Sequence, residues 1–198
     1  MSNNPITTNP LIAASYDDLR QILLDLLVKY AYKEGDFTLS SGARSNYYIN
    51  GKQVTLRAEA ALVIGLLIWQ MLPETTEAVA GLTLGADPIV SAVSLVSALK
   101  NQPIPALIIR KEPKGHGTKA YIEGPSLNAA AKVVVLEDVV TTGKSALLAV
   151  ERLQAADYQV TEIIALVDRQ QGGTELYQSQ GLKFQAIFNI TELQQYTT

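Results

Sequence analysis

The run Val133–Leu153, VVVLEDVVTTGKSALLAVERL, carries an acidic pair, Glu137 and Asp138, followed by Thr141, Thr142, Gly143, Lys144 and Ser145 at the start of a helical pattern. Its TGKS fragment matches the tail of a nucleotide-binding P-loop. That loop needs a glycine five residues before Gly143, and Asp138 occupies the position, so a nucleoside triphosphate cradle is disfavoured. Hydroxyls and a glycine at a helix start still suit a phosphate, because the first backbone N–H groups lack partners and attract anions. Two carboxylates just upstream would repel a bare phosphate. They make sense for a ligand that also offers hydroxyls or a hydrated cation, and a sugar phosphate with a vicinal diol, bound with Mg2+, meets both demands. The plainer alternative is that the acids cap a strand and the turn merely begins a helix.

A second cluster lies in IIRKEPKGHGTKAYIEG. Arg110, Lys111, Lys114 and Lys119 place four of the chain's 16 Lys and Arg within ten residues, beside His116, the only histidine. Pro113, Gly115 and Gly117 punctuate the segment, so a loop able to move is expected. It is either a solvated basic surface or a source of positive charge for an anionic leaving group, closing to exclude water. A third candidate, Arg169 in ALVDRQQGG, stands at the end of another apolar run, and its planar fork suits a carboxylate. The alternative there is a surface arginine.

These groups need a frame, and the text around them alternates between strand and helix. Ser15 reads as the N-cap of a helix with apolar residues at Leu19, Ile22, Leu23, Leu26 and Leu27, stopped by Gly35. FTLSSGARSNYYIN then reads as a hairpin around a Ser-Gly turn, and residues 56–72 as a second helix. From there AVAGLT is a strand, and Asp87-Pro88 caps and opens a helix. IPALIIR is a strand and 111–124 a loop. KVVVLEDV is a strand, GKSALLAVERLQAA a helix, QVTEIIALVDR a strand, a short helix falls near 173–180, and KFQAIF is the last strand. Near-continuous Val, Ile and Leu strands are buried on both faces, which means a parallel sheet covered by helices. The expected fold is α/β. Residues 1–14 read as a polar tail that need not be ordered, and 15–198 as one domain, with 15–55 an N-terminal appendage on a 56–198 core.

Composition narrows the function classes. The 198 residues are 47% hydrophobic and 18% charged, with a net charge of −3, so no global basic face suggests nucleic acid or anionic membrane. The longest apolar stretch, Ala60–Leu72, is too short to span a bilayer. Absence of cysteine removes disulfides and thiolate chemistry and, with no secretory pattern at the N-terminus, favours a cytoplasmic setting.

VVVLEDVVTTGKSA resembles the 5-phosphoribosyl 1-pyrophosphate (PRPP) signature of the type I phosphoribosyltransferases. The resemblance implies that Glu137 and Asp138 lie near the ribose hydroxyls, and that the segment running through Val139 and Val140 to Thr141, Thr142, Gly143, Lys144 and Ser145 holds the 5′-phosphate. RKEPKGHGT is similar to the catalytic loop of the orotate phosphoribosyltransferases. It implies a homodimer in which this loop reaches the other subunit's site, with Arg110, Lys111, Lys114 and His116 on the pyrophosphate. FTLSSGARSNYYIN resembles that family's N-terminal hood, matching at Ser41, Gly42 and Ser45. Tyr47 and Tyr48 stand where the family lines its base pocket, although ordinary strand packing would also explain them. The matching Arg169, helped by Thr141, would contact orotate.

The expected activity is Mg2+-dependent transfer of phosphoribose from PRPP to N1 of orotate in pyrimidine biosynthesis. Catalytic weight would fall on Lys114, His116, Glu137 and Asp138, with the metal held mainly by PRPP and the two acids reaching it through water. GLTLGADPIV corresponds to the family's pyrophosphate-proximal loop and makes Gly85, Ala86 and Asp87 weaker candidates. Relatives often carry charged residues at the positions of Ser40, Gly85 and Gly115. Alternatives are a type I phosphoribosyltransferase acting on a purine or uracil, and a non-catalytic PRPP-sensing regulator. The regulator would be expected to add a nucleic-acid-binding region that this chain has no room for.

Overall fold

The computed structural model describes residues 9–38, 44–114 and 121–196. Helix α1 (Tyr16–Leu26) begins as its sequence dictates: the Asp18 N–H donates to Ser15 Oγ at 3.1 Å, and Ser15 Oγ–H donates to the Asp18 carboxylate at 2.7 Å. Leu19, Leu23 and Leu27, one turn apart, are all fully buried, each contributing about 1.5–3 kcal/mol by leaving water.

The helix does not continue to Gly35. A π-helical turn (Leu27–Ala31) ends it, and strand β1 (Tyr32–Thr38) follows, pairing antiparallel with β2 (Arg44–Ile49). Gly35 sits inside β1 at φ +146°, in the register irregularity between Glu34 and Phe37. Cross-strand stacking of Tyr32 on Tyr47, centroids 6.0 Å apart, draws the chain out of the helix earlier than the glycine signal implies. The hairpin expected around the Ser-Gly turn is therefore present, while Ser40, Ser41 and Gly42 lie outside the described residues.

A six-stranded sheet follows, built from β3 (Ala78–Leu82), β4 (Ala106–Ile109), β5 (Ile122–Glu123), β6 (Lys132–Val140), β7 (Gln159–Asp168) and β8 (Lys183–Asn189) in the spatial order β5-β4-β3-β6-β7-β8. All neighbours are parallel except β4 and β5. Alternate residues serve opposite faces, as the pleat requires. Val134, Leu136, Ile164 and Leu166 pack with α1, α3 (Ala58–Met71) and α4 (Asp87–Leu99), while Val133, Val135, Ile163 and Ala165 pack under α5 (Lys144–Gln154) and α6 (Gly173–Ser179). This is the expected α/β architecture, a mostly parallel sheet flanked by helices.

Several local readings need correction. Asp87 opens α4 but does not cap it: Ala86 is the N-cap, and the Asp87 carboxylate accepts from Thr83 Oγ1 at 2.7 Å, tying down the preceding loop instead. The stretch read as loop over 111–124 contains β5, which pairs antiparallel with β4 through Ile108 and Ile109. Two short helices, α2 (Lys52–Thr55) and α7 (Ile190–Tyr196), carry too little periodic pattern to be read from sequence. Within the stretch read as tail, Pro10–Ala13 form a 3-10 turn, and Leu11 and Ala14 pack against the core.

Candidate active site

Strand β6 is central in the sheet, and its C-terminal part carries the acidic pair. Glu137 pairs with Ala165, and the strand runs two residues past Asp138 to Val140 paired with Asp168, so both acids sit on a rigid element. The pleat sends them to opposite sides. Asp138 faces the hood junction and the loop before α4: a Cβ on Gly51 would lie 3.0 Å from its Oδ2, and one on Gly85 2.7 Å from its Oδ1. Both glycines thus let the backbone close around this carboxylate, which also accepts from the Val139 N–H at 2.8 Å.

Glu137 is buried, with Oε1 accepting from the Asp138 N–H at 3.2 Å and Oε2 without a hydrogen-bond partner among the described residues. Burial, and then the neighbouring Asp138 charge, hold its carboxyl well above the ordinary carboxylate range, with Lys111 opposing weakly. The two acids open into a cavity of about 360 Å3 whose walls include Lys52, Thr83, Gly85, Lys111 and Ser145. The peptide between Thr83 and Leu84, in the same wall, is cis.

The turn after β6 is shaped by Gly143, the N-cap of α5, at φ +80°. Any side chain there would be strained, and its Cβ would fall 2.9 Å from the Tyr177 ring. With no side chain capping α5 and no acid in its first turn, the leading N–H groups stay available for an anion. Gly173 approaches from below, where a Cβ would meet Val140 Cγ1 at 2.4 Å, so the first residue of α6 packs directly under this turn.

The root of the basic loop is fixed by α5. The Arg152 guanidinium donates to the carbonyls of Arg110 and Lys111, the latter at 2.8 Å, and lies 4.0 Å over the Tyr121 ring. Both ends of the loop therefore converge on one side chain. Arg110 and Lys114 meet Glu123 of β5 at 3.2 and 3.6 Å, an exposed arrangement of the kind that exchanges readily for a better anion. Lys111 reaches the acidic cavity. His116, with Gly115 and Lys119, lies outside the described residues.

On the other side of the turn after β6, Arg169 is buried at the end of β7. Its Nε donates to the Tyr47 hydroxyl at 3.0 Å and its Nη1 to Thr141 Oγ1 at 3.4 Å, while Nη2 is buried without a partner among the described residues. Its guanidinium also lies 4.7 Å over the Tyr47 ring. Tyr47 and Arg169 are 122 residues apart in sequence and meet where β2 packs against the end of β7. Tyr48, by alternation, faces away, half-exposed against Phe37 at 5.6 Å between centroids. The structure thus brings Tyr47, Thr141 and Arg169 together and leaves Tyr48 outside that cluster.

No protein-family model matches the chain. The orotate phosphoribosyltransferase of Nostoc sp. is 70% identical over 182 residues, covering 92% of this chain and 88% of the relative. The orotate phosphoribosyltransferase of Synechocystis sp. is 68% identical over 190 residues, covering 96% of each. The chain belongs to the orotate phosphoribosyltransferases. The fold agrees: the orotate phosphoribosyltransferase of Mycobacterium tuberculosis superposes with a TM-score of 0.79 at 34% identity in its Fe(III) dicitrate complex, covering 88% of this chain and 98% of that one. Its PRPP complex superposes with a TM-score of 0.74 at 32% identity and the same coverage.

Within this orotate phosphoribosyltransferase fold, some site residues escaped sequence reading. Gly51 and Lys52 sit in NGKQV, which offers no local signal, and only the tertiary fold sets Gly51 against Asp138. Arg152 looks like an ordinary last-turn helix residue, and Tyr177 like a core aromatic. Of the weaker candidates, Gly85 stands in the cavity wall and Asp87 bonds to Thr83, whereas Ala86 is fully buried as a cap.

Proposed function

We propose that the protein transfers phosphoribose from PRPP to N1 of orotate, forming orotidine 5′-monophosphate and pyrophosphate. One observation carries the reading above all. Thr141 belongs at once to the turn that follows the acidic pair and to the Arg169–Tyr47 cluster, so a phosphoribose site and an anion-selective planar pocket share one wall. The partnerless Nη2 of Arg169 suits the carboxylate or a carbonyl of orotate.

In this reading the first N–H groups of α5 and the hydroxyls of Thr141, Thr142 and Ser145 take the 5′-phosphate. Asp138 accepts from a ribose hydroxyl. Glu137, whose carboxyl burial holds above the ordinary range, lies beside it and hydrogen-bonds the neighbouring ribose hydroxyl. As the C1–O bond to pyrophosphate breaks and the C1–N1 bond forms, positive charge grows on the ribose ring and negative charge on the departing diphosphate. The Asp138 carboxylate, with Glu137 beside it, stabilises the first, and Arg110, Lys111, Lys114 and His116 the second. The N1 proton of orotate passes to solvent water before or with bond formation, and positioning by Arg169 and Tyr47 lowers the entropic barrier.

The acidic pair fits Mg2+, since Glu137 Oε2 is buried without a partner and Asp138 faces the same cavity. Two carboxylates are too few to hold this ion alone, so it would be shared with PRPP and would neutralise diphosphate charge. The hood (15–55) and core (56–198) act as one domain, the hood supplying Tyr47. We further read the protein as a homodimer in which the basic loop serves the neighbouring site. Helix α4 carries no charged side chain between Asp87 and Lys100, and exposes Leu95 (66%) and Leu99 (55%) one turn apart, with Leu84 (70%) in the loop before it. A second copy would cover that face. A cytoplasmic setting suits a chain without cysteine.

Ultraviolet monitoring of orotate consumption with PRPP and Mg2+, with uracil, adenine and hypoxanthine in parallel, tests the reading. Orotate alone should be consumed; turnover of another base with orotate untouched would overturn it.

A further inference from the structure

We propose that Lys52 is a substrate-binding residue that contacts the diphosphate of PRPP from the hood side of the cavity, opposite Lys111. The inference rests on the phosphoribosyl-transfer reading above and extends it to a residue that none of the sequence motifs singles out. Lys52 begins helix α2 and lines the cavity that holds Glu137, Asp138, Lys111 and Ser145. Its backbone neighbour Gly51 abuts the Asp138 carboxylate, so the base of the Lys52 side chain is fixed one residue from the acidic pair. Among the described residues its ammonium enters no salt bridge or hydrogen bond, unlike Arg110 and Lys114, which are engaged by Glu123.

The opposite wall explains why a cation is needed there. The segment Thr83–Asp87, TLGAD, contributes no positive side chain to the cavity. A side chain at Gly85 would begin 2.7 Å from Asp138 Oδ1, an oxygen already committed to the Val139 N–H, while Gly51 closes in on Oδ2 of the same carboxylate. A cation therefore cannot grow from position 85 without displacing an acid of the site. A diphosphate lying between this wall and the basic loop would leave its hood-facing oxygens beside two carboxylates, with Lys52 the cation on that side. Lysine suits such a task as a flexible point charge on phosphate oxygens.

The test compares wild type with Lys52→Met and Lys52→Arg, measuring steady-state KM for PRPP and for orotate together with the dissociation constant for inorganic pyrophosphate plus Mg2+ by calorimetry. Loss of one charge-assisted contact should raise the PRPP KM and the pyrophosphate dissociation constant about tenfold or more. The orotate KM at saturating PRPP should stay within twofold, as should the thermal midpoint within a degree or two. Lys52→Arg should recover most of the loss. Wild-type turnover with unchanged PRPP and pyrophosphate binding in Lys52→Met overturns the role of Lys52 alone. Equal weakening of orotate and pyrophosphate, or no rescue by arginine, also overturns it, since that would mark a structural effect. Absence of both turnover and pyrophosphate binding in wild type overturns the underlying reading as well.

Discussion

Replacing Arg169 with methionine separates a role in orotate binding from a role in holding the fold. The side chain is buried, bonds to the Tyr47 hydroxyl at 3.0 Å and to Thr141 at 3.4 Å, and leaves Nη2 with no partner. None of the salt bridges among the described residues includes it. A buried cation without a carboxylate keeps much of its desolvation penalty, so removing it relieves a cost of several kcal/mol at most. The losses oppose this: two hydrogen bonds, and a cation–π contact of about 0.5–2 kcal/mol. The two sides nearly offset, and thermal stability of the free variant should lie within a few degrees of wild type. Binding has no such offset. One charge-assisted contact to the orotate anion is worth about 1.5–3 kcal/mol, which is roughly a 10- to 100-fold rise in orotate KM. Initial rates with orotate varied at saturating PRPP, with PRPP KM as control, measure this. An orotate KM within twofold of wild type in a folded Arg169→Met variant refutes the assignment.

Three further outcomes are expected. Because burial raises the folded-state pKa of Glu137 above its ordinary 4.5, its contribution favours the folded protein most at acid pH and is lost as pH rises from about 4.5 through the raised value. Glu137→Gln should therefore flatten that decline and unfold later at neutral pH while turnover falls severely; a variant that is less stable at neutral pH, or as active as wild type, contradicts this. Gly143→Ala forces a Cβ into positive φ and against Tyr177, costing about 1–2 kcal/mol, so the thermal midpoint should drop by several degrees and the PRPP KM should rise. Unchanged values would show that the turn relaxes freely. Mixing Lys114→Ala subunits with Arg169→Ala subunits should restore part of the activity, since one site of the heterodimer would be intact; verified heterodimers without recovery would argue against a shared site.

Much of the frame was legible from sequence because its determinants are local. Branched apolar runs give β3, β4, β6, β7 and β8, and Ser15 with Asp18 sets the start of α1. The turn after β6 was legible for the same reason, since strand, acids, turn and helix follow one another directly in the chain. What escaped depends on distant contacts. Tyr32 leaves the helix because it stacks on Tyr47, and β5 exists only because β4 offers it an edge. Arg152 becomes a clamp on the basic loop only once α5 lies beside the end of β4. Similarly, Gly51 and Gly85 are spaced 34 residues apart and acquire meaning from the single carboxylate between them. Arg169 could be proposed from its place after an apolar run, but its pairing with Tyr47 rather than Tyr48 follows from which face of β2 turns inward.

The central claim is that phosphoribose sits on the segment 137–145 with its diphosphate turned toward the basic loop. A crystal structure of the protein with PRPP and Mg2+ tests this most directly. The 5′-phosphate should lie on the backbone N–H groups of residues 142–145 and the ribose hydroxyls against Glu137 and Asp138. PRPP bound elsewhere, or bound with its diphosphate on the α5 turn and its ribose away from both acids, would contradict the account.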